Sequence, residues 1–390
     1  MSTRLLGLTL TVLLLIDTSA ARAQTLLGQL GTLLTEQGPA GTYVPDAAAA
    51  EATTVTVASL LQIELVTVPA TSSSGGFVYR LRPDLGLFER ATNEFGPFFT
   101  ERALRGGRGQ ASIGVTYQQS HFGSLQGADL TSGTFPTNAA RFAGAIDPFA
   151  VDTLQLDLTV RTTTGFFSYG VTDRLSLGAM VPIVNVRFSG QRMRTVNGQS
   201  SLQSRQSGSS TGFGDSTVNA RYLVAGSGVR GFSVGGDLRL PTGRQLDLLG
   251  TEDAAARVLG IGSWEDGQLA AHVNGGIGVG GVSREIFWAV ATTFAATPRV
   301  TVIGELMGRR LSELTRVNDV YQPHPVLAGV ETMRWLPSER GIHTLFAVTG
   351  VKWNLTRSWL LNSNVLIRLT DTGLSARVTP SLSLDYGFER

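Results

Sequence analysis

Trp359-Leu-Leu-Asn-Ser-Asn-Val-Leu-Ile-Arg-Leu369 and Ala376-Arg-Val-Thr-Pro-Ser-Leu-Ser-Leu-Asp-Tyr-Gly-Phe388 alternate with period two. In the second segment Ala376, Val378, Pro380, Leu382, Leu384, Tyr386 and Phe388 take one face; Arg377, Thr379, Ser381, Ser383 and Asp385 take the other. The first segment sets Trp359, Leu361, Val365, Ile367 and Leu369 against Asn362, Asn364 and Arg368. Successive side chains of a strand point to opposite faces, so each segment has one apolar and one polar side. A soluble sandwich alternates too, with its apolar faces meeting in a core. How many strands repeat the pattern, and what stands at their ends, separates the two architectures.

Working back toward the N-terminus, the same alternation predicts strands near 109–119, 152–169, 174–187, 212–225, 229–241, 254–263, 268–280, 285–296, 299–310, 342–354, 357–369 and 375–388. The number is about twelve, with fourteen as the alternative if a hairpin of Phe77–Leu81 and Leu87–Arg90 joins the wall; bacterial single-chain barrels have an even count. Connections alternate in kind. Gly170–Asp173, Gly226–Gly228, Trp264–Gly267, Thr297–Pro298 and Leu355–Thr356 are short and fall at one end. The long ones, near 120–151, 188–211, 242–253 and 311–341, fall at the other, and the Ser/Gln/Gly-rich part of 197–211 reads as a solvated outer loop. Short inner turns and longer outer loops are the asymmetry of an outer-membrane barrel. Phe166, Phe167, Tyr169, Tyr222, Phe232, Phe294, Trp353, Trp359, Tyr386 and Phe388 gather near the short turns, as an interfacial girdle would. The predicted fold is all-β: a closed antiparallel transmembrane β-barrel with an N-terminal plug or cap.

The chain start has its own grammar. Arg4, the apolar run Leu5–Ile16 and Ala21-Arg22-Ala23 have the parts of a secretory signal peptide over residues 1–23. Its removal takes two basic and one acidic residue from totals of 32 and 30, leaving a near-neutral chain with no footprint for nucleic acid. With no cysteine there is no disulfide framework and no thiolate metal or redox site. No later apolar stretch is long enough for a membrane-crossing helix, so a membrane form must be a closed barrel. Residues 24–105 alternate less regularly. Leu26, Leu27, Leu30, Leu33 and Leu34 have helical spacing, stopped by Gly38-Pro39; an Ala-rich spacer and Thr54–Val68, strand or helix, follow. This segment reads as a luminal plug or periplasmic piece preceding a barrel over 106–390.

Phe95-Gly-Pro-Phe-Phe-Thr-Glu-Arg-Ala103, Phe167-Ser-Tyr-Gly-Val-Thr-Asp-Arg-Leu175, Gly212-Phe-Gly-Asp215 and Leu238-Arg-Leu-Pro-Thr-Gly243 resemble motifs of one bacterial outer-membrane "transporter" family. It is the family named for the MetA pathway of phenol degradation, and the resemblance spans roughly 95–388. It implies porin-like uptake of small aromatic or otherwise hydrophobic solutes across the outer membrane of a Gram-negative-type bacterium. Its motifs mark turns and strand starts, so no binding residue is carried over.

Sites of chemistry are few. Gly226-Ser-Gly-Val-Arg-Gly231 follows a strand but leads into Phe232, Val234, Leu238 and Leu240, which have strand and not helix character, so it is a hairpin turn and no nucleotide site. His121, His272, His324 and His343 lack ligand spacing, and no metal, cofactor or catalytic residue is assigned. His272, beside Asn274, is the one candidate for a serine–histidine pair, and an outer-membrane enzyme ranks third among the readings. The candidate lumen-lining residues are Asp157, Arg161, Arg174, Asp215, Arg221, Asp237, Arg239, His272, Glu305, Arg309, Lys352 and Arg368, with Asp385 beside them. Mixed signs on neighbouring strands suit a self-satisfied network or a polar channel lining. The expected function is a passive channel, not an enzyme. Its expected partners are outer-membrane lipid and lipopolysaccharide, barrel-assembly machinery and a small hydrophobic or aromatic solute. A sealed structural or adhesion barrel with partner-binding outer loops is the chief rival.

Overall fold

Twelve strands form the wall in a computed structural model that describes residues 25–38, 44–54, 56, 79–82, 87–90, 95–103, 107–227, 230–356 and 358–388. The predicted signal peptide lies outside the described residues, as do 55 and 57–68 of the stretch expected as strand or helix. In chain order the wall strands are β1 (Ala111–Phe122), β2 (Ala150–Gly170), β3 (Leu175–Val196), β4 (Ser216–Ser227), β5 (Arg230–Leu240) and β6 (Ala255–Asp266). They continue as β7 (Leu269–Gly280), β8 (Glu285–Thr297), β9 (Val300–Pro323), β10 (Val330–Asn354), β11 (Trp359–Arg368) and β12 (Val378–Phe388). Each pairs antiparallel with the next, and β12 closes onto β1 from Phe388↔Ala111 to Ser381↔Gln118. Closure removes every wall edge, which a lipid-exposed sheet requires. Tyr79–Arg82 and Leu87–Arg90 pair only with each other, so the described part of that hairpin stands apart from the wall.

Five short connections sit at the end where β1 starts and β12 stops, as turn parity predicts. The other end is not looped but extended. β2, β3, β9 and β10 run on as long hairpins; Phe135–Phe142 bridges β2 and β10, and Gln199–Phe213 pairs along β3. The Ser/Gln/Gly-rich segment, expected as a solvated loop, is therefore strand. Its composition hid this because one of its faces meets water while the other lies against a helix.

In the lower wall, outward side chains are apolar. Ile113, Val181, Val218, Val234, Val258, Val273, Val290, Val302, Val351, Leu382 and Leu384 are all exposed. At the turn end this band finishes in Phe167, Tyr169, Tyr222, Phe232, Trp264, Phe294, Trp353, Trp359 and Phe388, also exposed. An apolar band edged by aromatics is the outer surface of a membrane-spanning barrel. Phe166 is the exception among the girdle residues: it points inward and leaves no room for a Cβ at Gly114 on β1.

Above the band the polarity of the wall inverts. On β2 the inward even positions Leu154, Leu156, Leu158 and Val160 are buried, while Gln155, Asp157 and Arg161 are exposed. β3 repeats this, with Val186 and Phe188 inside and Arg187 outside. The parity of the strand never changes; what changes is the medium outside it, from lipid to water. The inward apolar face is covered by helix α1 (Leu26–Thr35), whose Leu26, Leu30, Leu33 and Leu34 join that cluster with Leu248 and Leu249. Thr25 caps the helix by accepting the Gly28 N–H at 3.2 Å. Glycine at position 190 makes the fit possible, because a Cβ there would stand 2.6 Å from Leu33 Cδ2.

Candidate channel lumen

The N-terminal segment meets the inner wall at three levels. At the extended end, Arg192 donates from Nε to the Leu33 carbonyl (3.2 Å) and from a terminal nitrogen to that of Glu36. Arg194 donates to Gln37 Oε1 at 2.9 Å. Both guanidiniums are buried and converge on Asp152, at 2.7 and 2.6 Å. Arg192 satisfies carbonyls that the helix end leaves open, and both cations suit that end of the helix dipole.

The second level is Asp46, which caps residues 47–54, helical in the structure, by accepting the Ala49 N–H at 3.1 Å. Asp46 also accepts from Thr332 Oγ1 at 2.5 Å and Arg334 at 3.0 Å. Burial alone pushes its carboxyl up, but Thr332, the Ala49 amide and Arg334 together hold it below the ordinary aspartate range.

The third level lies near the short turns, where Phe95–Ala103 crosses the interior as a strap. Glu305 on β9 accepts the backbone N–H groups of Phe98, Phe99 (3.1 and 3.2 Å) and Thr100 (2.8 Å), and the Thr100 hydroxyl at 2.8 Å. Consecutive amides converging on a carboxylate form an anion nest, here filled by the protein itself. Lys352, the sole lysine in the chain, donates to the carbonyls of Pro97 (2.8 Å) and Phe95 (3.4 Å). Asn274 takes the Glu101 N–H at 2.5 Å and returns a bond to the Glu101 carbonyl at 2.9 Å. Ser263 accepts the Ala103 N–H at 2.8 Å, Ser233 donates to the Ala103 carbonyl at 3.0 Å, and Glu265 meets Arg102 at 2.9 Å. Strap residues are buried throughout, down to Phe95 and Thr100 at 0% exposed.

Between the strap and the apolar cover lies a chamber of about 300 Å³. Phe99 and Glu101 form part of its floor, and Leu249 belongs to its cover. One side is ionic. Asp237 sits between Arg221 (2.5 Å) and Arg257 (2.8 Å), and Arg221 also reaches Glu101 at 3.4 Å. The rest is largely apolar, with Met180, Pro182, Leu259, Phe287, Met307 and Phe346. Arg257 stacks over Phe287 with its guanidinium carbon 4.6 Å from the ring centre.

The predicted lining residues divide accordingly. Arg221, Asp237, Arg239 and Arg309 line the chamber; Arg309 donates to Thr344 Oγ1 at 3.0 Å. Asp215 lines it too, but from ahead of β4, where it accepts from the Gly243 amide (3.0 Å) and from the Thr251 amide and hydroxyl (both 2.9 Å), tying down the 242–251 connection. Glu305 and Lys352 lie inside, engaged with the strap. Arg368 is inward and clamps the 370–374 turn through the Thr370 (3.1 Å) and Leu374 (2.7 Å) carbonyls. Asp385 is inward and takes the Asn362 amide at 2.8 Å. Three placements are corrected. Asp157 and Arg161 are on the outer face, because that part of β2 stands in water. Arg174 is exposed in a short turn, one residue before its strand begins.

His272 is buried and takes its place in the strap's support: Ser263 Oγ lies 2.8 Å from its Nδ1. Ser263 Oγ also accepts the Ala103 amide, so this serine joins the histidine to the strap. His272 Nε2 has no hydrogen-bond partner among the described residues, so no acid or amide completes a catalytic trio there. Thr301, which accepts the Phe95 N–H at 3.2 Å, Ser263 and Ser233 are missing from the predicted lining, and Asn274 enters it only as the neighbour of His272, since uncharged residues on a lumen face carry little distinguishing signal.

A family model described as "Putative MetA-pathway of phenol degradation" matches residues 136–249. Among solved structures, an outer membrane channel from Pseudomonas putida F1 is similar at 14% identity and TM-score 0.48, covering 72% of this chain and 96% of that one. The P. putida toluene transporter TodX is similar at 9% identity and TM-score 0.33, over 84% and 94%. The KdgM porin is similar at 9% identity and TM-score 0.38, over 71% and 99%. No curated protein matches the chain.

Proposed function

We propose that this chain is an outer-membrane channel of a Gram-negative-type bacterium, passing small aromatic or otherwise hydrophobic solutes passively through its lumen. The observation that carries the reading is the chamber of about 300 Å³ within a closed wall. That is the size of a small-ligand pocket, and it sets an aromatic and aliphatic surface of Met180, Pro182, Leu259, Phe287, Met307 and Phe346 against an ionic side that can orient a polar substituent. The description of the matching family, phenol degradation, agrees with that solute class. The described parts of residues 24–105 act as the plug: α1 covers the chamber and the strap closes it below. Passage then requires the strap to leave its nest on Glu305. The outward apolar band implies lipid and lipopolysaccharide around the wall, and insertion by barrel-assembly machinery.

Both obstructions also suit a second reading, a sealed structural or adhesion barrel. Single-channel recording in a planar bilayer separates the two. The full-length barrel should conduct weakly, Glu305→Gln or Lys352→Met should raise its open probability, and millimolar phenol should reduce the current. Silence in the folded parent and both variants would favour the sealed barrel.

A further inference from the structure

The short-turn rim carries a charge pattern that neither the strap nor the chamber uses. Arg108, Arg174, Arg230 and Arg299 all lie there, all exposed, and no carboxylate among the described residues pairs with any of them. Three of them are set beside girdle aromatics by backbone geometry, and the fourth beside one of those three. The Arg174 carbonyl accepts the Leu223 N–H at 2.8 Å, next to outward Tyr222. The Arg299 carbonyl accepts the Asn354 N–H at 2.8 Å, next to outward Trp353. Arg230 shares the outer face of β5 with Phe232, two residues on. The Arg108 N–H donates to Asp173 Oδ1 at 3.1 Å, beside the Arg174 turn. Against these four the described rim sets exposed Asp173 and Asp266; Glu265 is turned inward to Arg102.

We infer that this arginine rim binds the phosphates of anionic phospholipids in the periplasmic leaflet. Girdle aromatics fix the depth of the barrel at the headgroup level, so the guanidiniums just beyond them are held where lipid phosphates lie. A guanidinium offers a phosphate two parallel donors, which an ammonium cannot. The rim would set the tilt and depth of the barrel and recruit a shell of anionic lipid. Lipid, not free phosphate, is the occupant, because the sites are spread around a rim bordered by apolar wall and do not converge on one pocket.

The test uses the full-length protein folded into phosphatidylcholine vesicles. Trp264, Trp353 and Trp359 lie on the outer face near this rim and report quenching by a brominated lipid. Brominated phosphatidylglycerol should bind more tightly than brominated phosphatidylcholine, by roughly fivefold for each arginine engaged. The variant R108Q/R174Q/R230Q/R299Q should lose that preference while keeping its heat-modifiable fold, and 0.5 M salt should weaken it in the parent. Arg187→Gln with Arg205→Gln, on the extended end, should leave it intact. Equal preference in the parent and the rim variant would overturn the inference, as would displacement by millimolar inorganic phosphate. Should the fourfold variant not fold, the four single variants each answer the same question.

Discussion

Replacing Glu305 with Gln should loosen the strap without disturbing the wall. The carboxylate accepts from three consecutive strap amides and from the Thr100 hydroxyl, and its partners there are fully or nearly fully buried. A carboxamide keeps one acceptor oxygen and turns an NH₂ toward the remaining donors. At least one charge-assisted bond is lost and one buried amide is orphaned, together about 3 kcal/mol. Tenfold per 1.4 kcal/mol makes that a ~100-fold rise in the open population. The chain has no cysteine, so Ala103→Cys supplies a single thiol at a strap position that is only 1% exposed. Labelling of that thiol should be ~100-fold faster in Glu305→Gln than in the Ala103→Cys parent, with the same heat-modifiable mobility. Equal labelling rates would mean that the nest does not hold the strap, and the gating argument would fall with it.

Asp152→Asn removes the buried charge that pairs with both Arg192 and Arg194 and should cost about 3–5 kcal/mol, read as faster proteolysis of residues 25–38 in the folded barrel. Leu384→Arg puts a charge on the lipid face and should cost about 2–4 kcal/mol in folding titrations if its site is near the midplane, whereas Asp157→Arg, on the water-exposed face, should cost almost nothing. Equal penalties would refute the inversion along β2. Acid should free the 44–54 anchor. The Asp46 carboxyl is held below its ordinary range, so its stabilisation is complete above the unfolded value and lost as pH falls through the folded one. Hydrogen exchange at Ala49 and Ala50 should therefore rise below about pH 4, and Asp46→Asn should remove that pH dependence.

Period-two alternation, the parity of the short turns and the aromatics beside them were enough to place twelve strands, close them into a barrel and point Arg221, Asp237, Arg239, Glu305, Lys352 and Arg368 inward. Each of those signals is local: a residue's face follows from its neighbours at i±2, and a turn is legible from its own few residues. What alternation lacks is a label for the medium. Leu154–Val160 and Leu382–Phe388 have the same pattern with opposite meaning, since apolar side chains face lipid where there is lipid and turn inward where there is water. That distinction comes from how far the β2–β3 hairpin rises above the band, and from α1 arriving to cover its inner face. The strap is the extreme case. Phe95–Ala103 has no periodicity, because its backbone is satisfied by side chains from β5, β6, β7, β9 and β10, strands up to 257 residues away in the chain. Only the closed wall brings those donors and acceptors to one level, so the contents of the lumen, unlike its wall, are a property of the tertiary structure.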